Sequence, residues 1–168
     1  MSIAERLLPE FDREMAHTRR TLERVPNEKW DWKPHPKSNP MGWLATHLAN
    51  IPTWANRGIE SDQLDIVPQG KPLRNPPIES REKVLEAFDR NVAAARAAIA
   101  GASDEHLALG WTLIANGKPI FTMARDAVLR TWVLSHIIHH RAQLGVYLRM
   151  NDVPVPAIYG PSADEGGM

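Results

Sequence analysis

The chain has 168 residues, 20 Lys+Arg against 20 Asp+Glu, no net formal charge and no cysteine. That length fits one domain, residues 1–168, large enough to bury a core without staples, and the charge balance lacks the basic excess that drives contacts to phosphate backbones. Without cysteine there is no disulfide, no thiolate ligand and no protein thiol nucleophile, so any sulfur chemistry must arrive with a substrate. The opening MSIAERLLPEFDRE mixes charge with apolar residues instead of forming the apolar core of a secretory leader. No apolar run is long enough to span a bilayer. The expectation is a cytoplasmic protein acting on a small molecule, with neither nucleic acid nor membrane as partner.

Prolines map the elements, because the ring removes a backbone donor and clashes inside a helix. All 14 prolines avoid the windows 78–118 and 120–153. The first helix is expected over roughly Leu8 to Arg24, with Phe11, Met15, Thr18 and Leu22 inward and a start made ambiguous by Pro9. Asn39 and Pro40 read as N-cap and first residue of a second helix running to about Gly58, kinked at Pro52, with Trp43, His47, Asn50 or Ile51, and Trp54 on one face. Glu60 to Ile78, interrupted by Pro68, Pro72, Pro76 and Pro77, reads as a long crossover. Ser80 to Ala100 repeats Val84, Leu85, Phe88, Val92, Ala95 and Ile99 at three- and four-residue steps, an amphipathic helix stopped by Gly101. A short turn at Ser103 to Leu107 and a small hairpin at Asn116-Gly117 precede the longest helix, Thr122 to Met150. Leu129, Val133, His136, His140, Leu144 and Tyr147 form its inward stripe, and the Pro- and Gly-rich tail after it is non-helical. The fold class is therefore all-α: a four-helix bundle with a long crossover between helices 2 and 3.

Of 7 histidines, three stand in SHIIHHRAQ. Helical geometry puts His136 and His140 one turn apart on one face, their Cβ atoms roughly 6 Å from each other. Two imidazoles so placed can share an ion if a third ligand comes from another element. His47, on the apolar face of the second helix, is the best placed. The alternative is that all three are hydrogen-bonded core histidines. His139 lies about 60° round the helix from His136, and a three-residue pair of the di-iron type would need facing glutamates that the stripes lack. It reads as a flanking or interface residue. Positions 137 and 138 are Ile, so the glutamate base of a helical zinc protease is missing. Gln143, one turn beyond His140, suits either a role behind the ligands or an ordinary exposed amide.

His136 to Leu144, HIIHHRAQL, resembles the HxxxHRxQL signature in the last helix of the DinB and YfiT-like bundle proteins. WDWKPHPKSNPMGWLATHLANIPTW, Trp30 to Trp54, is similar to the segment leading into the family's first ligand helix, and PAIYGPSADE to its tails. The resemblance implies a four-helix bundle, often a homodimer, with one divalent metal on His47, His136 and His140. It also implies a low-molecular-weight thiol as cosubstrate, in S-transfer or isomerisation.

Three neutral imidazoles leave an ion's positive charge uncompensated and a coordination position open, and zinc or nickel suits imidazole better than magnesium or calcium. Such a centre lowers the pKa of a coordinated water or thiol. The first route is hydrolysis and the second S-transfer. A non-catalytic, metal-stabilised bundle is the third reading. Trp43, Trp54, Trp132 and Tyr147 stand near the stripes as substrate-shaping or packing residues, and Tyr159, Ser162, Asp164 and Glu165 can either fold over the site or stay solvated. No side chain stands out as a general base.

Overall fold

In the computed structural model, which describes residues 1–166, helix α1 runs from Ile3 to Leu22. It starts before Leu8 because Ser2 and Glu5 form a reciprocal capping box and the Ile3 amide donates to Asp104. Pro9 sits in its interior on the exposed side, where water can satisfy the carbonyl left without a donor. Burial of Ala4 and Leu7 ahead of it holds the helix together.

The second helical segment is broken in two at Pro52, into α2 (Met41–Asn50) and α3 (Thr53–Glu60). Pro40, and not Asn39, is the N-cap, and no side chain caps α2. The backbone does so instead: Trp32 and Trp30 turn their carbonyls onto the Met41 and Gly42 amides at 2.9 and 2.8 Å. This fold-back requires glycine at 42, since a Cβ there would lie 2.1 Å from the Trp30 indole nitrogen.

The crossover is not purely irregular. It contains strand β1 (Gln63–Asp65) before α4 (Arg81–Gly101), which Ser80 caps. After α5 (Asp104–Ala108) come β2 (Gly110–Ala115) and β3 (Lys118–Ala124). The hairpin turns at Asn116 and Gly117, both at positive φ, as a tight two-residue turn demands. β1 pairs parallel with β2, and the Asp65 carboxylate accepts from the amides of Val67, Asn116 and Gly117. The molecule is thus mostly helical with a three-stranded sheet, order β1-β2-β3, and not all-α. Thr122 consequently belongs to β3, and the last helix begins at Arg125: α6 (Arg125–Val128), a π-helical stretch (Leu129–Ser135) and α7 (His136–Arg149) follow without a break.

Around the main core, α4 packs on α1, α2 and α3, and α7 packs on α1 and α2. Phe11, Met15, Leu48, Phe88, Ile99 and Leu144 are among its buried residues, each worth about 1.5–3 kcal/mol when removed from water. A smaller cluster of Trp111, Leu113 and Val128 seats the sheet on the bundle. Among the described residues no helix is long and apolar enough to cross a membrane.

The tail does fold back, but not over the histidines. Glu165 pairs with Arg20 and Arg24, Asp164 pairs with Arg149, and Tyr159 reaches the buried pair Arg141–Glu14. Tail and α7 border an open groove of about 450 Å³ lined by Ile138, Ala142, Val146 and Val155, on the side of the helix opposite His136 and His140.

Candidate metal centre

His47 comes from the last full turn of α2, and His136 and His140 from the first turns of α7. The packing of α2 on α7 brings the three rings together, with one nitrogen from each within 4.8 Å of the others. His47 Nε2 and His136 Nε2 are 3.2 Å apart. Two nitrogens 2.0–2.1 Å from one tetrahedral ion would stand about 3.3 Å apart, so this spacing suits a shared ion. A hydrogen bond would account for that single pair, but not for the third ring, whose centroid is 4.5 Å from that of His47 and 4.7 Å from that of His136.

Electrostatics point the same way. Burial pushes His47 down to about 4, helped by the charges of His140 and His136. Burial likewise pushes His136 down to about 4, against the Trp132 carbonyl, which favours the protonated ring. No hydrogen bond reaches His136 Nδ1, which is buried without a partner. His140 is also lowered by burial, opposed by its hydrogen bond to Gln143. All three rings are therefore neutral near pH 7, the state in which imidazole ligates. An all-nitrogen set of this kind fits a borderline divalent ion.

The expected aromatic residues divide. Trp43 is not core: it is 44% exposed and stacks on the His47 ring at 4.9 Å. Trp132 stands edge-on to His136 and stacks with Trp54 and Phe121, a half-buried aromatic wall on the other side of the histidines. Tyr147 is structural, donating to the Asn39 carbonyl and packing on Trp32, which supports the entry to α2. Gln143 Oε1 lies 2.7 Å from His140 Nδ1, and exposed His139 lies 3.1 Å from the Gln143 amide nitrogen. Phe121 carries no signal of its own in the sequence, because its place beside Trp132 depends on the hairpin's register.

Fold and site together define a mostly helical protein with three histidines converging between its second helical segment and its last. The chain belongs to the DinB superfamily, whose family model matches residues 10–144. Two crystal structures of DinB-like proteins share the fold. The one from Bacillus cereus has a TM-score of 0.70 at 20% identity, over 90% of this chain and 95% of that one. The YjoA protein of Bacillus subtilis has 0.68 at 18%, over 91% and 96%. The mycothiol-dependent maleylpyruvate isomerase is a more distant likeness, with a TM-score of 0.60 at 13% identity, over 86% of this chain and 63% of that longer one. No curated protein sequence matches the chain.

Proposed function

We propose that this chain is a metal-dependent enzyme that holds a divalent ion, zinc or nickel, on His47, His136 and His140 and activates a low-molecular-weight thiol for S-transfer or isomerisation. The observation that carries the reading is the convergence of three imidazoles in a chain with no cysteine. When bound, the ion supplies positive charge and an open position that favour the thiolate of an incoming thiol at neutral pH. The fold shared with the mycothiol-dependent isomerase agrees with thiol chemistry, though at 13% identity it speaks only to fold.

The chain's own residues supply the surroundings. Trp43 covers one face of the His47 ring and limits water there while leaving its indole open to a substrate. Trp132, with Trp54 and Phe121 behind it, offers an apolar flank beside His136 for the electrophile.

Turnover tests the proposal. Metal-loaded protein is incubated with a panel of electrophiles, with and without several cellular thiols, beside His136→Ala. Thiol-dependent consumption of electrophile that the variant lacks supports the reading. Ester cleavage without thiol, coupled with no thiol-dependent turnover, replaces it with hydrolysis.

A further inference from the structure

The amide of Gln143 bridges two histidines, and the two ends of an amide have opposite hydrogen-bonding sense. Its Oε1, 2.7 Å from His140 Nδ1, can only accept, so His140 donates from Nδ1. A neutral imidazole has a single N–H, which leaves the His140 lone pair on Nε2. The Gln143 Nε2, 3.1 Å from His139 Nε2, can only donate, so His139 accepts there and carries its own proton on Nδ1. Turned end for end, the amide would donate into His140 Nδ1 and force the proton onto Nε2. Nε2 is the atom type that His47 and His136 already bring together. His139 Nε2 meets the other end of the amide but adds no preference between its two orientations, since a neutral imidazole can present either a donor or an acceptor there. His136 has no such partner on Nδ1.

From this contact we propose that Gln143 is a positioning residue that presets His140 as the Nδ1–H tautomer, with Nε2 free for an ion. The purpose of the tautomer rests on the metal-binding reading; the tautomer itself is a property of the metal-free chain.

The experiment uses full-length protein purified without a histidine tag and stripped of metal. Ring-nitrogen correlation spectra near neutral pH report the His140 tautomer in wild type, Gln143→Leu, Gln143→Glu and His139→Ala, and zinc affinity is then measured by competition with a chromophoric chelator. Gln143 is exposed, so these variants should fold, and circular dichroism melts check that they do. The expected result is a protonated Nδ1 in wild type, a shift towards Nε2–H in Gln143→Leu and restoration in Gln143→Glu, whose carboxylate also accepts. Zinc should bind Gln143→Leu about tenfold more weakly, the low end of the 10–100-fold typical of such partners, because water can replace an exposed amide. Gln143→Glu should bind no more weakly than wild type, and His139→Ala, which leaves the Gln143–His140 contact in place, should match wild type in tautomer and affinity. An Nε2–H tautomer in wild type, or a Gln143→Leu variant with wild-type tautomer and affinity, overturns the assignment. A preset tautomer in a wild type that binds no zinc supports the positioning role and overturns the metal reading instead.

Discussion

At the residue scale, the convergence of His47, His136 and His140 was legible because local spacing and a single long-range packing decide it. His136 and His140 share a face by helical arithmetic alone, and His47 needed only α2 to lie on α7. Alanine at any one of the three should abolish binding of about one ion per chain, since two imidazoles rarely retain a structural or catalytic ion. His139→Ala should keep the stoichiometry, as elemental analysis of untagged protein will show. The pairing of Arg141 with Glu14 was not legible, because its partners lie 127 residues apart and Tyr159 reaches them from the tail. Arg141 is 4% exposed and Glu14 2%, so removing either partner leaves a buried charge and should cost about 3–5 kcal/mol. Burial alone would raise the Glu14 carboxyl, but hydrogen bonds from Tyr159 and Arg141 outweigh it and hold the group below its usual value of 4.5. The unfolded chain therefore takes up this proton first as pH falls. The stabilising contribution is complete above pH 4.5 and lost as pH drops through the lower folded value. Denaturant unfolding of wild type and Glu14→Gln should show a stability gap that narrows across that acid range, and a constant gap would remove Glu14 as its cause.

At the element scale, long periodic segments were readable and short ones set by distant pairing were not. The stripe Val84, Phe88, Ala95, Ile99 is buried as its spacing requires. β1 has three residues and no alternation of its own, and it exists as a strand because β2 lies beside it. Its parallel pairing is what turned an expected loop into part of a sheet. The entry to α2 is a second such case. There the Trp30 and Trp32 carbonyls replace the side-chain cap that Asn39 was expected to provide, and Gly42 is the residue that permits it. Gly42→Ala should lower stability by about 1–3 kcal/mol through overpacking against Trp30. In a double-mutant cycle, Trp30→Ala should recover part of that loss. Strict additivity of the two, measured by denaturant midpoints, would show that the indole is not the obstacle.

For the whole molecule, the core carries the fold without help from an ion. Its buried residues come from α1, α2, α3, α4, α5, the π-helical stretch and α7 and extend well beyond the three half-buried histidines. Chelation should therefore lower the melting temperature while leaving helical circular dichroism intact, in contrast to small zinc domains that unfold when stripped. An unfolded apo-protein would contradict this account.

The π-helical stretch between α6 and α7 has a further effect on that architecture. Each i to i+5 turn takes in one residue more than an α turn, so Leu129–Ser135 works as a phase shifter between Arg125, which anchors the sheet through Asp62 and Gly110, and the histidines that follow. Excising one residue there and letting the ladder revert to α would turn the two ends against each other by about 100°. With α7 held by α2, the hairpin bearing Phe121 would be carried away from Trp132. The aromatic flank and the histidines are thus kept in step by an irregularity in the backbone, and a shorter, more regular last helix would put them out of alignment without altering a single side chain at the site.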